Sequence, residues 1–180
     1  FREHSVFIAK HFDLNVTTYE EFIPKYREIG ANVFLSGWGC PVQWLSKPKK
    51  ADACMYKVTF VGSAHGNRKE LVSKLKELGI DVECFGYGWE NGAVDAGDIP
   101  RIFRDSVISL NFANSKGENQ IKARTFEVPG SGGFLITDNA KNLSSVFGNQ
   151  QEIVVVNSID EMADSIKKFT IDNKARDEIA

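Results

Sequence analysis

The hydrophobic positions of the chain follow two alternating periods from residue 56 onward. Two runs rich in β-branched and aromatic residues predict strands: Tyr56–Val61 and Val107–Phe112, the second nearly continuous in apolar residues, as in strands buried on both faces. Between these runs, apolar residues recur at helical spacing, at Leu71, Val72, Leu75 and Leu78. Strand and helix alternate at least four times with short links. This predicts a Rossmann-like α/β domain, a parallel sheet with helices on both faces.

The same periods predict the remaining elements of this region. Further strands are predicted at Val82–Tyr87, Phe134–Thr137 and Glu152–Val156. Short helices are predicted at Ile99–Arg104, Thr125–Pro129 and Leu143–Phe147. A last helix begins at the capping box Ser158–Glu161, with an apolar face formed by Met162, Ile166 and Phe169.

The residues before position 56 follow a less regular pattern. A strand, a helix and a second strand are predicted in turn, at Asp13–Thr18, Tyr19–Ile29 and Ala31–Ser36. Thr17 and Glu20 have capping-box spacing for that helix, and Gly37–Cys54 has neither period and is predicted to be a connector. We therefore place a candidate domain boundary in this connector, between residues 1–50 and residues 51–180.

Composition and charge exclude several classes of protein. The chain is 42% hydrophobic and 26% charged, as expected of a globular domain, and its net charge of −2 gives no global reason to expect nucleic acid as a partner, although a balanced total leaves room for a local basic patch. Cys40, Cys54 and Cys84 lie far apart and outside any CxxC spacing, which argues against a disulfide framework or a zinc site and favours the reducing cytoplasm. No apolar run approaches the roughly 20 residues of a transmembrane segment.

The loop after the first strand of the second domain, Gly62–Arg68, joins a strand to a helix N-terminus. Free backbone N–H groups and the helix dipole favour a phosphate there, and glycine lets the backbone approach a ligand closely. Gly62 and Ser63 are therefore candidate diphosphate ligands, and Arg68 would add a charge-assisted hydrogen bond. A plain strand-to-helix turn with a solvated Arg68 is the alternative.

A second loop, Phe85–Trp89, combines flexible backbone with flat side chains. Such side chains line base or sugar pockets by stacking, so Gly86, Tyr87 and Trp89 are candidate pocket residues. A tight turn with Trp89 partly buried against a neighbour is the alternative.

A third loop leaves the predicted strand Val107–Phe112 and is unusually polar. It makes Asn111 and Gln120 candidate pocket residues, although structural loops are polar as well. Lys122 and Arg124 follow just before a predicted helix, where two cations would suit a diphosphate; an exposed pair of cations is the alternative.

Glu127 lies in the first turn of that helix. An acidic residue at this place commonly complements the helix dipole. However, Gly130 and Gly132 follow it and imply a backbone pressed close to something, and a carboxylate beside such a strip can accept both hydroxyls of a ribose. We therefore predict that Glu127 binds the ribose of a nucleotide and that the two glycines belong to the same site.

The order of these motifs along the chain is itself characteristic. The runs in question are YKVTFVGS followed by an arginine, GIDVECFGYGW, ISLNF, QIKARTFEVPGSGGFLITD, NLSSVF, QEIVVVNSIDEMADSIKKF and ARDEIA. Together they resemble the C-terminal half of the CgeB-like, or spore-maturation-type, glycosyltransferases over about Asp13–Ala180. That family is similar to the larger GT-B group, whose members consist of two Rossmann-like domains. In this group the nucleotide sugar is bound mainly by the C-terminal domain.

The resemblance implies transfer of a sugar from a nucleotide diphosphate sugar to an unknown acceptor, which is a glycan, a protein or a small molecule. It implies that Gly62 and Ser63 approach the diphosphate and that Arg68, or the pair Lys122 and Arg124, neutralises it. It further implies that no metal or other cofactor is needed, because cations and helix N-termini stabilise the leaving diphosphate.

The GT-B group marks its donor site with two glutamates that have seven residues between them. Glu127 matches the second glutamate and is thereby identified as the ribose ligand. The first falls at Asn119, next to Glu118, so the way in which the donor's sugar is held departs from the group's pattern.

The resemblance also implies that residues 1–50 are the end of the acceptor-binding N-terminal domain with its linker, that residues 51–180 are the nucleotide-sugar-binding domain, and that most of the N-terminal domain is missing. The chain begins at Phe1 without an initiator Met and stops inside a helical pattern at Ala180, so we expect a piece of a longer protein. We therefore assign no catalytic residue and expect the chain to bind donor without turnover.

Two other functions fit parts of the pattern. A non-catalytic regulatory or interaction domain, such as a receiver-like module, would need acidic residues at the end of the first strand, where Gly62 and Ser63 stand. A nucleotide-sugar epimerase of the same fold would isomerise the donor without an acceptor.

Overall fold

The computed structural model describes residues 7–115, 119–148 and 152–180. The chain divides into two compact units, the first ending at Trp38 and the second beginning at Gly39. The assignment of residues 1–50 to the end of an N-terminal domain stays a prediction. No helix in the described ranges is long and apolar enough to cross a membrane.

The first unit contains a strand, a helix and a strand, in the predicted order. Its elements are β1 (Asn15–Thr17), a 3-10 turn (Glu20–Phe22), α1 (Ile23–Glu28) and β2 (Val33–Leu35), and the two strands pair in parallel.

The helix of the first unit begins later than the capping-box spacing predicts. The hydroxyl of Thr17 accepts a hydrogen bond from the N–H of Tyr19 at 3.1 Å and so caps a turn rather than a helix. Regular α-helix starts beside Pro24, because proline fits the first turn, and it ends before Gly30, which has φ +71°.

The second unit is a five-stranded parallel sheet in the order β4-β3-β5-β6-β7, with helices packed on both faces. Its strands are β3 (Tyr56–Val61), β4 (Glu83–Phe85), β5 (Ser106–Asn111), β6 (Leu135–Asp138) and β7 (Val154–Val156). Its helices are α2 (Arg68–Glu77), α3 (Ile99–Arg104), α4 (Arg124–Gly130), α5 (Ile159–Ile171) and α6 (Asn173–Ile179). The predicted Rossmann-like architecture is therefore confirmed.

Two apolar layers cover the two faces of this sheet. On one face, α2 and α5 pack over a cluster that includes Phe60, Leu75, Phe112, Ile166 and Phe169. On the other, α3 and α4 pack over a cluster that includes Val61, Ile102, Phe103, Val128 and Leu135. All six residues of β5 are buried, as its continuous apolar run predicts for the central strand of such a sheet.

Several predicted bounds shift where turns replace regular structure. The predicted helix Leu143–Phe147 is a 3-10 turn, Leu143–Ser145, and two further 3-10 turns, Val42–Trp44 and Ala51–Ala53, interrupt the connector. The cap of α5 is as predicted in its first half, since Ser158 Oγ accepts from the N–H of Glu161 at 3.1 Å. The Glu161 carboxylate reaches back to the N–H of Asn157 instead of that of Ser158.

The fully buried guanidinium of Arg176 joins the last helix to the centre of the sheet. Its Nε donates to the carbonyl of Val107 at 2.9 Å and its Nη2 to that of Ser106 at 3.0 Å, both at the start of β5. Its Nη1 donates to the carbonyl of Lys49 in the connector at 2.7 Å. One side chain on α6 thus holds the connector against the sheet.

Replacing Arg176 with Leu is expected to lower the free energy of unfolding of the chain by about 3–5 kcal/mol, because three buried carbonyls lose a charged donor. Urea unfolding followed by circular dichroism measures this loss. The exposed neighbour Lys174, replaced with Leu, serves as the control and should change stability by less than about 0.5 kcal/mol. Equal losses in the two variants would contradict the role of Arg176.

Candidate functional site

The order of the strands reverses at β3. The chain passes from β3 to β4 on one side and then crosses to β5 on the other, so a crevice opens between the carboxyl ends of β3 and β5. Ligands of open parallel sheets bind at such a reversal. Residues 62–68, 112–115 and 119–123 border it, and the third loop's Lys116 and Glu118 lie outside the described residues.

The predicted phosphate loop is fastened to the loop that follows β4. The N–H of Gly62 donates to the carbonyl of Phe85, and that of Ala64 to the carbonyl of Tyr87, both at 2.8 Å. The indole N–H of Trp89 donates to the carbonyl of Gly62 at 2.8 Å. These bonds extend the pairing of β3 with β4 and fix the path of the backbone at Gly62.

The residues that follow β4 therefore pack directly against the backbone of Gly62. Gly86 has φ +125°, and a Cβ there would lie 2.5 Å from the carbonyl oxygen of Gly62, so only glycine fits. Trp89 packs edge to face on Phe60, with ring centroids 6.0 Å apart. The tight turn with a partly buried Trp89 is thus the interpretation that the geometry supports, while Tyr87 lies exposed.

Arg68 is not the solvated side chain of the alternative interpretation, since only 8% of it is exposed. Its Nη1 donates to the carbonyl of Ser63 at 2.9 Å, and its Nη2 to the carbonyl of Phe112 at 3.2 Å, across the reversal. Burial lowers the pKa of the guanidinium, Asp138 opposes that shift and Arg124 adds to it. A second cation and a carboxylate therefore act on the charge of Arg68.

Arg124 also reaches across the strand reversal, from the β5 side of the crevice to the end of β3. Its Nε donates to the carbonyl of Val61, the last residue of β3, at 3.1 Å, and its guanidinium lies 5.4 Å from the ring centroid of Phe103. Its Nη1 pairs with Glu127 Oε2. Within the described residues its Nη2 has no hydrogen-bonding partner, although a quarter of the side chain is exposed. Arg124 thus has one donor group left for a ligand.

Glu127 is held by this ion pair, and its side chain is 13% exposed. One carboxylate oxygen bonds Arg124, and the other has no partner among the described residues. The helix-dipole interpretation of Glu127 is therefore incomplete, because a specific cation fixes the carboxylate at the edge of the crevice.

Other predicted pocket residues support the crevice from within. Asn111 is 1% exposed and donates to the hydroxyls of Thr125 and Thr137, which ties β5 to α4 and β6. Asn111 therefore lies beneath the crevice and does not form part of its exposed surface. Gln120 and Lys122 are half-buried, and the N–H of Gln120 donates to Asn114 Oδ1 at 3.0 Å.

Asn119 occupies the position of the missing first glutamate. It has φ +55°, and its Oδ1 accepts a hydrogen bond from the N–H of Lys141 at 3.1 Å. Asparagine tolerates this left-handed conformation better than most residues. In this structure Asn119 thus joins the loop after β5 to the segment after β6.

The backbone at Gly130 and Gly132 is pressed close to other residues, as predicted, and those residues belong to the connector: the side chain of Cys40 at Gly130 and the backbone of Lys47 at Gly132. A Cβ at Gly130 would lie 2.6 Å from Cys40 Sγ, and a Cβ at Gly132 would lie 2.8 Å from the carbonyl of Lys47. Packing of the connector therefore explains both glycines. Their part in donor binding stays a prediction.

Asp138 is the residue that the sequence analysis missed. It ends β6, and its carboxylate accepts hydrogen bonds from the N–H groups of Ala113 and Asn114 at 2.8 and 2.9 Å. Burial raises the pKa of this carboxyl, although those two bonds and Arg68 act in the opposite direction. The available signal was a carboxylate directly after the predicted strand Phe134–Thr137.

Two adjoining cavities lie at the carboxyl ends of β5, β6 and β7. Their volumes are about 210 and 380 Å³, and their shared lining consists of Asn114, Asp138, Val156 and Asn157. In the described part of the chain, no three His, Cys, Asp or Glu side chains gather as a metal site. The metal independence of the reaction stays a prediction.

Comparison with known proteins identifies the family. A family model described as glycosyl transferase-like matches residues 68–180, which is more than half of the chain. The chain belongs to the glycosyl transferase-like family. The matched region of this glycosyl transferase-like protein begins at Arg68 and includes Arg124, Glu127 and Asp138. No curated protein matches the chain.

Solved structures share its fold. A TarM variant from S. aureus in complex with fondaparinux, α-GlcNAc-glycerol and UDP is 13% identical with a TM-score of 0.70, covering 98% of this chain and 41% of that one. Sucrose-phosphate synthase from Thermosynechococcus elongatus is 11% identical with a TM-score of 0.70, covering 97% and 53%. An α1,3-fucosyltransferase with GDP is 19% identical with a TM-score of 0.55, covering 69% and 37%.

The chain therefore spans between 37% and 53% of the length of these proteins. At such low identity the likeness concerns the fold, a parallel five-stranded sheet flanked by helices that matches GT-B glycosyltransferases.

Replacing Gly86 with Ala is expected to destabilise the chain more than replacing Gly92 with Ala, by about 1–3 kcal/mol in urea unfolding. Both glycines have positive φ, but a Cβ at Gly92 meets nothing within 4 Å, whereas one at Gly86 meets the carbonyl of Gly62. The difference combines the close contact between the two loops with the greater backbone strain of a side chain at φ +125° than at φ +67°. Equal costs would show that neither the contact nor this strain matters for stability.

Proposed function

We propose that this protein transfers a sugar from a nucleotide diphosphate sugar to an acceptor and that the second unit binds the donor. The observation that carries the proposal is the convergence of Arg68 and Arg124 on the strand reversal, each anchored to the far side of the crevice. The backbone of Gly62 and Ser63 borders the same place. The acceptor would be a glycan, a protein or a small molecule.

The two arginines suit a diphosphate because each is oriented before a ligand arrives. Arg68 is fixed by backbone carbonyls and Arg124 by Val61 and Glu127. Burial lowers the pKa of Arg68, and the positive charge of Arg124 adds to that shift, so an anion bound by both arginines would offset the repulsion between them. Lys122 follows in the same segment and would add a third cation.

Glu127 is proposed to bind the ribose of the donor. Its Oε2 is held by Arg124, and its other oxygen is left to accept a hydroxyl. Diphosphate on Arg124 and ribose on Glu127 are neighbouring parts of a nucleotide, as these two side chains are neighbours on α4.

In this proposal the arginines supply the countercharge for the leaving diphosphate. Negative charge develops on that group as the glycosidic bond breaks, and fixed cations stabilise it most where water is excluded. No metal ion is required for this step. The acceptor and the catalytic base belong to the N-terminal domain, of which residues 1–50 would be the end, so this chain alone should bind donor without turnover.

Two further observations support the proposal. The structures of similar fold include a fucosyltransferase with GDP and a TarM complex with UDP, so nucleoside diphosphates are the ligand class to test.

All three cysteines are free, which fits the cytoplasm as the proposed compartment. Within the glycosyl transferase-like family, the CgeB-like group is the proposed branch.

Replacing Glu127 with Ala is expected to weaken the binding of UDP or GDP at least tenfold. Isothermal titration of the chain with each nucleotide measures the dissociation constant, and the thermal shift that ligand binding produces should shrink accordingly. The matched control is Glu70→Ala, because Glu70 is exposed and pairs only with Lys74 on the surface of α2. Unchanged affinity in the Glu127 variant would exclude the ribose assignment.

A further inference from the structure

The peptide group that joins Phe112 to Ala113 is held at both ends by charged side chains. Its carbonyl oxygen accepts a hydrogen bond from Arg68 Nη2 at 3.2 Å, and its N–H donates to Asp138 Oδ1 at 2.8 Å. The cation and the carboxylate both act along the dipole of this peptide, and hydrogen bonds linked in this way strengthen one another.

We infer that Asp138 is a positioning residue for donor binding, which acts on the candidate diphosphate site through this peptide and through Arg68. The inference rests on the proposed function, since it assigns Asp138 to the same site. Asp138 does not touch the donor in this account, and it fixes the groups that do.

One line of contacts leads from Asp138 to the loop after β3. Asp138 ends β6 and holds the peptide that follows β5, and that peptide's carbonyl holds Arg68. The other terminal nitrogen of Arg68 donates to the carbonyl of Ser63 at 2.9 Å. Three neighbouring segments at the carboxyl edge of the sheet are thus joined by hydrogen bonds that involve only two side chains.

A second line of contacts leads from Asp138 toward Arg124. Asp138 Oδ2 accepts from the N–H of Asn114 at 2.9 Å, and Asn114 Oδ1 accepts from the N–H of Gln120 at 3.0 Å. From Gln120 the chain continues to Lys122 and to Arg124 at the start of α4. The carboxylate of Asp138 therefore sets the direction in which this segment leaves β5.

A positioning role and a through-space effect of charge predict opposite results when Asp138 is neutralised. Removing a negative charge near two arginines would, by Coulomb attraction alone, tighten the binding of an anion. Removing the hold on the two N–H groups would release the arginines from their geometry and weaken binding. The direction of the change therefore identifies the mechanism.

The test uses Asp138→Asn, which has the same shape. Its amide oxygen can accept one N–H, whereas its NH₂ group cannot accept the second, so one contact and the charge are lost. The probes are UDP and GDP, with uridine and guanosine as the matching nucleosides without phosphate. Isothermal titration gives the affinities, and urea unfolding gives the stability of each variant.

We expect Asp138→Asn to weaken the binding of the diphosphate at least fivefold and that of the nucleoside by less than twofold. A merely structural role would lower the stability without changing the ratio between diphosphate and nucleoside. Asp138→Glu, which keeps the charge, should recover part of the affinity. Asp98→Asn serves as the control, since Asp98 is exposed and pairs only with Arg101.

Unchanged or tighter diphosphate binding by Asp138→Asn would overturn the inference while leaving the proposed function intact. If Asp138→Asn does not fold, Asp138→Glu provides the test, because its longer side chain displaces the carboxylate. This variant should bind the diphosphate at least threefold more weakly than the wild type. Binding within 1.5-fold of the wild type would overturn the inference. Failure of the wild-type chain to bind either diphosphate would instead contradict the proposed function.

Discussion

A buried cation at the point where the strand order reverses is the constraint on which the candidate site depends. Arg68 is 8% exposed, and a guanidinium in that position depends on nearby acceptors, because an unpaired buried charge costs several kcal/mol. Its terminal nitrogens donate to the carbonyls of Ser63 and Phe112, at the ends of two different strand segments, and Nη1 also contacts His65 Nε2. Its Nε has no hydrogen-bonding partner among the described residues. Solvation of Arg68 by the protein thus determines where the loops on both sides of the crevice lie.

This arrangement prepares the site before any ligand binds. The loop at Gly62 is fastened to the chain after β4, and Arg124 and Glu127 hold each other beside the end of β3. Groups that are already oriented lose little conformational entropy when a ligand arrives, so more of the interaction energy is expressed as affinity. Asn111 and Trp89 belong to the same preparation, because Asn111 donates to the hydroxyls of Thr125 and Thr137 and Trp89 donates to the carbonyl of Gly62.

The sequence predicted much of the fold because strand and helix periods differ and the caps are local signals. The bounds of β3 and α3 match the prediction to the residue, and Ser158 caps α5 as expected. The site was predicted less completely because its contacts join distant residues. The glycines after Glu127 indicated that other residues approach the backbone closely there. No local pattern indicated that these residues are Cys40 and Lys47, because both lie far away in the sequence. The Arg124–Glu127 pair, three residues apart on one helix, was within reach of spacing rules.

A crystal structure of the chain with UDP or GDP, whichever binds more tightly, tests the central claim most directly. We predict diphosphate oxygens within about 3 Å of the guanidinium groups of Arg68 or Arg124 or of the backbone N–H group of Ser63, with the ribose on Glu127. A nucleotide bound elsewhere, for example in the cavities lined by Asn157, would contradict the account if the crevice between β3 and β5 were empty.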